Sequence, residues 1–592
     1  MSGFVAIIAN LPGCSVPQAD VQALADEYDS IRGGVGETVA IADRVGAVAY
    51  TANGARPPSV ERRGGAWVLA AGALHHHGLL LDCSLDHLEG QFALLRYAPA
   101  TNTATLVSDP FGMFGLYVAQ RDGCTYVATS AIVLARHLGA RPSPIGLQTF
   151  LLAGYQCGAR TGWEGIERME GGIQITFGND EPRRDRYWRP AVDHALQRQG
   201  IAASVDHCLE TAVQAVRNAG AGHDLLWCDL TGGYDTRFLA LLARTAGLNF
   251  ITATNGDGEE EDVRLARLIA ESEGWDWSLL SLPPDWEQVV CSRLPEAIGW
   301  GDAALEAQQL AGVLWRHEVK ARRARALLNG GGGEHYWSYA WQHEYGRSAR
   351  LGTTNLGTWV HSRMLQAIPT QVFAGDPRRE VVSDLRARME TVIEPYLGEV
   401  RAVQADALYL HKCTGHFGAY ASAGCAEIDV LLPFYTRGSF VAAFSTDPRH
   451  RLGHRFYRRL IDRLDPRVAA LPTAKGGPAQ PPRTRNLVKF VPYYTRLAEK
   501  GFNKASQRLL GRSSRTPSGL DERSARLRAT VVAAVGRETD AWYSHSLYDP
   551  EELRGLLSAA SRPDFADSVL LGRMLTVELG LRAAGVPLAH SL

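Results

Sequence analysis

The sequence predicts an α/β protein in two parts, residues 1–192 and 193–592. Three observations carry that reading. The first part is dense in short apolar runs bounded by Gly, Pro, Asn and Asp, several alternating apolar with polar residues as half-buried strands do. The second part alternates such runs with stretches of helical spacing, the pattern of a doubly wound parallel sheet. Two apolar runs in the second part end in consecutive glycines, "CDLTGGYD" and "LLNGGGGE".

In chain order, "FVAIIAN", "WVLAAGA", "QFALLRY", "TATLVSD", "LYVAQ" and "TYVATS" are the strands expected in the first part. The period changes after "DRYWRPAVDHALQRQG". Asp224 to Leu230 is short and apolar enough for a buried strand, and beyond the glycine turn Phe238, Leu239 and Leu242 fall at helical spacing. "NFITATNG" forms a second strand ending at Gly256. Val263, Ala266 and Ala270 then share one helix face, which Gly274 terminates. "WSLLSL" is a third strand, and Ala303, Ala307, Leu310 and Leu314 make another helix face before "RALLNGGGGEHYW". From about residue 350 the chain reads as mostly helical. Residues 476–520 carry Arg483, Arg485, Lys489, Arg496, Lys500, Lys504, Arg508, Arg512 and Arg515 against Glu499. That stretch is either a solvated loop and helix face or a dock for an acidic or peptide partner.

Composition narrows the classes. With 45% hydrophobic residues, 21% charged and a formal net charge of -1, global disorder and a strongly basic nucleic-acid binder are excluded. The apolar run at the N-terminus lacks a basic flank and is too short to span a bilayer, and no later run is long enough, so a cytoplasmic protein without integral membrane association is expected. Nine cysteines from Cys14 to Cys425 without a CxxC pair fit reduced thiols better than a disulfide framework or a zinc site. His75, His76 and His77 make a weak metal site, because neighbours on a strand point to opposite faces.

The glycine turns carry the chemistry. Consecutive glycines let backbone N–H groups converge at a helix N-terminus, where the helix dipole also favours an anion, so phosphate is the expected ligand; a plain strand-to-helix turn is the alternative. Open parallel sheets bind ligands beyond the carboxyl ends of their strands, where both glycine runs fall, so the two turns are expected to share one site. No Gly-x4-Gly-Lys-Ser/Thr motif is present, which excludes the ordinary P-loop reading.

These residues bring a family resemblance into view. Thr231-Gly232-Gly233-Tyr234-Asp235-Thr236 resembles the Ser-Gly-Gly-x-Asp-Ser pyrophosphate loop of the asparagine synthetase superfamily. "LLNGGGGEHYW" resembles that family's second glycine-rich loop, and "DVLLPFYT" stands where the family has Glu-x-Arg-x-Pro-Phe-Leu-Asp. "LEGQFALLRY", "LVSDPFGMFGLYV" and "GIERMEGGIQITF" followed by "RYW" are similar to its glutaminase half, and the ordered set runs to about residue 480. The resemblance implies an N-terminal Ntn-hydrolase-like αββα sandwich and a C-terminal PP-loop ATP pyrophosphatase domain, with ATP and Mg²⁺ as ligands. Carried over residue by residue, it implies nucleotide contacts from Leu230, Thr231, Gly232, Gly233, Asp235, Thr236, Thr254, Gly330, Gly331, Gly332 and Gly333. It also implies Mg²⁺ held by Asp235 and Glu334, the latter a departure from the family's Asp, and a catalytic Lys475 in the mobile-looking "LPTAKGG". Lactam-forming members have a Tyr of their base dyad at the place of Gly331; His335 is the substitute considered, a packed or surface histidine being the other reading.

The departures define the branch. Ser2 stands where a glutamine-using member has Cys, "AAGALHHH" replaces Asn-Gly-Glu, and no Arg-Gly-Pro-Asp accompanies "DRVGAVAYTANG", so the glutaminase is expected to be inactive. An amine within the substrate must then replace ammonia, as in the β-lactam synthetases and the lasso-peptide macrolactam synthetases of peptide-antibiotic biosynthesis. Chain length and the long basic C-terminal region are more similar to the latter. That resemblance implies a leader-cleaved precursor peptide as substrate, with a leader peptidase and a precursor-recognition protein as partners. A small-molecule amide or β-lactam synthetase and a non-catalytic peptide-binding scaffold are the alternatives.

Overall fold

The computed structural model describes residues 2–588 except 12, 42–43, 53–55, 76–77, 257, 338, 342–353, 367 and 500–521. All six strands expected in the first part are present: β1 (Ser2–Ala9), β5 (Ala66–His75), β6 (Glu89–Ala98), β7 (Thr103–Ser108), β8 (Tyr117–Arg121) and β9 (Cys124–Ala128). Six more complete two antiparallel sheets: β2 (Val35–Ile41), β3 (Val45–Thr51), β4 (Ser59–Arg63), β10 (Ile166–Arg168), β11 (Ile173–Phe177) and β12 (Arg183–Arg186). The sheet orders are β10-β8-β9-β1-β3-β2 and β12-β11-β7-β6-β5-β4.

Alternation along β5 sends Leu69 and Ala71 into the large core between the sheets and Val68 and Ala70 to the opposite face. Helix α1 (Gln18–Arg32) covers the first sheet through Val21, Leu24 and Tyr28, while the short turns at Leu80–Asp82 and Leu85–His87 help cover the far face of the second. The arrangement therefore departs from a symmetric αββα sandwich on that outer side.

The second part builds a five-stranded, all-parallel sheet from β13 (Leu226–Asp229), β14 (Phe250–Asn255), β15 (Trp277–Leu280), β16 (Ala326–Leu328) and β17 (Asp429–Leu431). Its order is β15-β14-β13-β16-β17. Both faces are buried, as parallel sheets require: Trp227, Ile251, Leu327 and Val430 join the large core, and Leu226, Cys228, Leu328 and Leu431 a second core containing Phe238 and Tyr457. Helix α2 (Asp235–Thr245) follows β13, and α3 (Glu261–Glu273) follows β14 and ends at Gly274 in the left-handed conformation.

One expectation fails locally. Ala303 does not belong to the next helix, α4 (Ala307–Ala321), because Asp302 and Ala303 both take positive φ. Tertiary contacts impose that kink: Asp302 accepts hydrogen bonds from Arg32 at 2.9 Å and Ser130 at 2.6 Å, a buried latch between the two parts. None of the nine cysteines is in a disulfide, and among the described residues no helix is long and apolar enough to cross a membrane.

Candidate active site

The strand order places the two glycine loops together. The chain leaves β13 outward to β14 and β15, then returns to lay β16 on the other side of β13, so the order reverses between β13 and β16. Loops after the two strands flanking such a reversal diverge and leave a crevice. The first loop follows β13 and the second follows β16, whose registers meet at Cys228 and Leu328.

The first loop is tied by its own side chains. Thr231 N donates to Thr236 Oγ1 at 2.9 Å, the two hydroxyls lie 3.0 Å apart, and Gly233 N donates to Thr231 Oγ1 at 3.2 Å. Gly232 N donates to Asp262 Oδ1 at 3.1 Å, so one loop N–H already holds a carboxylate oxygen. A Cβ at Gly232 would lie 2.7 Å from Leu265, which is why α3 can pack this closely only on glycine. Leu230 and Thr254 stand behind the loop. Leu230 N donates to Ala253 O, and its carbonyl accepts from Thr254 Oγ1 at 2.8 Å; that hydroxyl in turn accepts from the Trp277 indole at 2.9 Å. Both residues are buried with these groups engaged.

The second loop reaches the first through Gly330 and Gly333. A Cβ on Gly330 would sit 3.5 Å from the Asp235 carbonyl carbon, and one on Gly333 only 2.5 Å from both Asp235 Oδ1 and the Tyr457 hydroxyl. Gly332 takes φ +92° and donates its N–H to Glu334 Oε2 at 3.1 Å. Gly331 faces the Phe417 ring, 1.7 Å from where its Cβ would be, so an aromatic ring without a hydroxyl fills that place.

Asp235 and Glu334 thus form a carboxylate pair. Asp235 Oδ1 is buried without a hydrogen-bond partner among the described residues. Burial raises the Asp235 carboxyl above its usual range, offset in part by the adjacent Tyr457 hydroxyl and Lys475 ammonium. Burial, then the Asp235 charge, raises Glu334. Among the described residues no group of three or more His, Cys, Asp or Glu gathers as a metal cage. Two acidic side chains, one oxygen unsatisfied, beside two glycine loops fit Mg²⁺, which keeps waters and takes one or two carboxylates plus substrate phosphates.

The loop bearing Lys475 docks on the first glycine loop, Ala474 N donating to Gly232 O at 3.0 Å. Lys475 itself is exposed. The turn is fastened rather than free: Pro472 and Pro478 form an antiparallel bridge, and Gly477 O accepts from Thr473 N at 2.9 Å and Thr473 Oγ1 at 3.0 Å. Arg237, fully buried in the first turn of α2, donates to Leu471 O at 3.1 Å and Pro472 O at 2.6 Å; burial lowers its pKa to about 10. Neither Arg237 nor Asp262 was legible as a site residue, although each sits beside an expected one.

His335 lies in the interior beside the second loop. Its ring is buried against Phe440 at 4.5 Å, Tyr409 at 5.6 Å and Tyr435 at 6.0 Å, and burial holds its pKa near 3. On the other side, Tyr234 stacks on His454 at 4.6 Å and His454 on Trp337 at 4.4 Å, walling the first loop with rings that no motif announced. In the basic segment Arg483 pairs with Asp462 and Arg496 with Glu261, while Lys500 to Arg515 lie outside the described residues, as do His76 and His77.

No family model matches the chain, and no curated protein matches it. Among solved structures it is similar to a glutamine phosphoribosylpyrophosphate amidotransferase from B. subtilis complexed with ADP and GMP, at 12% identity and a TM-score of 0.22, over 47% of this chain and 65% of that one. A second is described as the allosteric regulatory enzyme of purine biosynthesis, at 11% identity and a TM-score of 0.22, over 47% of this chain and 80% of that one. The match spans less than two thirds of the first structure's chain. Likeness at this level carries no argument about site or activity.

Proposed function

We propose that this chain is an ATP-dependent amide synthetase that adenylates a substrate Asp or Glu carboxylate and closes a macrolactam with the peptide's own N-terminal amine. In this reading residues 1–192 are an inactive glutaminase-like domain and residues 193–592 a PP-loop-type synthetase domain. One observation carries it: at the reversal of a parallel sheet, two glycine loops bring Asp235 and Glu334 together, with the Lys475 loop bonded to the first of them.

The chemistry follows from a carboxylate's poor leaving group. Its oxygen attacks the α-phosphorus of ATP, the bond to the bridging oxygen breaks and pyrophosphate leaves. The amine then attacks the acyl carbon, AMP leaves and the nitrogen releases one proton. Loop N–H groups and the Thr231 and Thr236 hydroxyls would hold phosphate oxygens. Asp235 and Glu334 would hold Mg²⁺, which supplies charge neutralisation when bound. Lys475 would stabilise charge that grows only in the transition state. The substrate class, the cytoplasmic setting, and the leader peptidase and precursor-recognition partners belong to the same proposal.

The test is mass spectrometry on peptides with a free N-terminal amine and an internal Asp or Glu, with AMP and pyrophosphate assayed in parallel. A peptide with a free N-terminal amine should lose one water in an ATP-dependent reaction, and its N-acetylated form should not cyclise. Cyclisation of the acetylated peptide, or pyrophosphate release undiminished in a folded Asp235→Asn protein, would overturn the mechanism.

A further inference from the structure

We infer that Arg496 is a positioning residue that clamps the Lys475 loop onto the first glycine loop. Its consequence for turnover rests on the amide-synthetase reading; the clamp itself does not. Lysine has four rotatable methylenes and Lys475 is exposed, so its ammonium is placed mainly by its backbone anchor. The Pro472–Pro478 bridge and the Thr473–Gly477 bonds close the turn but do not aim it.

Aim comes from outside the turn. The Ala474 peptide groups are held on both sides: its N–H donates to Gly232 O at 3.0 Å, and its carbonyl accepts from Arg496 Nη1 at 2.7 Å. Arg496 Nη2 donates to Glu261 Oε1 at 2.8 Å, and the next residue, Asp262, accepts from Gly232 N at 3.1 Å. The contacts therefore run from Gly232 to Ala474, Arg496, the first turn of α3 and back to Gly232. This ring joins four segments that share only tertiary proximity.

The fork of one guanidinium makes the ring closable, because its two outer nitrogens reach two different acceptors at once. Gly476 and Gly477 admit the segment that carries Arg496: added Cβ atoms would lie 2.9 Å from the Pro492 carbonyl carbon and 3.2 Å from Lys489 O. Arg496 and Glu261 are each near 40–46% exposed at the side chain, and exposed ion pairs add little global stability. The bond to the Ala474 carbonyl is therefore the informative half, and its effect is local.

Hydrogen exchange followed by mass spectrometry on the full chain tests this directly. Arg496→Ala should speed exchange in a fragment spanning residues 472–478 about tenfold, leaving β13 and α2 unchanged. Arg496→Lys should restore part of the protection. The exchanged pair Arg496→Glu with Glu261→Arg rebuilds an ion pair but leaves no donor at position 496 for the Ala474 carbonyl, so exchange should stay fast. Unchanged exchange in Arg496→Ala, or protection recovered by the exchanged pair, would overturn the clamp.

Turnover supplies the second arm. Arg496→Ala should lower kcat about 10- to 100-fold, as a displacement of about 1 Å does, with the KM for ATP within about threefold of wild type. Fast exchange with unchanged kcat overturns the positioning role. A wild-type chain inactive on every peptide defeats the amide-synthetase reading, while the exchange data still decide the clamp.

Discussion

Gly333→Ala adds one methyl group where the two glycine loops meet, and the structure says how badly it fits. The new Cβ would lie 2.5 Å from both Asp235 Oδ1 and the Tyr457 hydroxyl, whereas non-bonded heavy atoms settle at about 3.5–4.0 Å. Tyr457 is fully buried in the second core, and Asp235 opens α2, so neither yields easily. The relief available is to push the Gly333–Tyr336 turn outward by about 1 Å, taking Glu334 with it. Overpacking of this kind costs about 1–3 kcal/mol, and a 1 Å displacement of a binding group costs about 100-fold in rate. Gly330→Ala is the matched control for stability: its Cβ meets backbone at an ordinary 3.5 Å and its φ is not positive, so the change should be neutral or stabilising by about 0.4–1 kcal/mol. Thermal unfolding with and without ATP and MgCl₂ reads both effects. Wild type should gain about 2.7 kcal/mol at ligand near 100 times Kd, and Gly333→Ala should lose most of that gain while melting lower without ligand. Equal melting and equal response to ATP and MgCl₂ in Gly333→Ala would refute the convergence of the loops on one site.

Two further outcomes follow from buried charge. Arg451 and Asp406 form an ion pair at 2.6 Å with side chains 0% and 2% exposed, and Arg451 also donates to His335 O at 2.9 Å. Asp406→Asn should therefore cost about 3–5 kcal/mol in denaturant unfolding, and adding Arg451→Met should recover most of it; a loss under about 1 kcal/mol counts against a buried unpaired cation. The Asp235 and Glu334 carboxyls are both raised, so the folded state keeps protons that the unfolded state releases. Their stabilising contribution is full below the unfolded pKa near about 4 and is lost as pH rises through the folded values, over the same rise in which Mg²⁺ gains ionised ligands. The increment in melting temperature from MgCl₂ at constant ATP should therefore grow from pH 5 to pH 8 and flatten in Glu334→Gln; a flat wild-type increment would exclude the carboxylate pair as the ligand.

Much of the parallel sheet was legible because its signals are local. Short runs of three to six residues followed closely by glycine fix β13, β14 and β16, and Gly274 stops α3 where a left-handed residue is needed. The hairpin of β2 and β3 was not legible, since "VGETVAI" and "VGAVAYT" mix small and polar residues, and the hairpin is held in the sheet by the pairing of β3 with β1. The kink at Asp302 has its cause in Arg32 and Ser130, far away in sequence. The site divides the same way. Asp235, Glu334 and Lys475 lie on loops whose composition marks them, whereas Asp262, Arg237, Tyr457 and Arg496 reach the site from ordinary helical segments and are visible only once the chain is folded.

Two lysines come near the carboxyl end of β13, and charge pairing separates their roles. Lys320 on α4 is 1% exposed and ion-paired with Asp229, the last residue of β13, while its own carbonyl accepts from the Trp227 indole at 2.7 Å. A paired, buried ammonium presents little net field to a ligand, so Lys320 holds the strand end to the helix. Lys475 has no carboxylate within ion-pair distance among the described residues, and its charge reaches Asp235, which the proposed Mg²⁺ would neutralise. Behind it, Arg237 is a buried cation that donates to the carbonyls of Val468, Leu471 and Pro472, and a pKa near 10 keeps it protonated at neutral pH. Both charges therefore remain available to negative charge developing at the loops. If adenylation occurs there, the rate should respond far more to Lys475→Ala than to loss of the Lys320–Asp229 pair, whose removal should register first as lost stability.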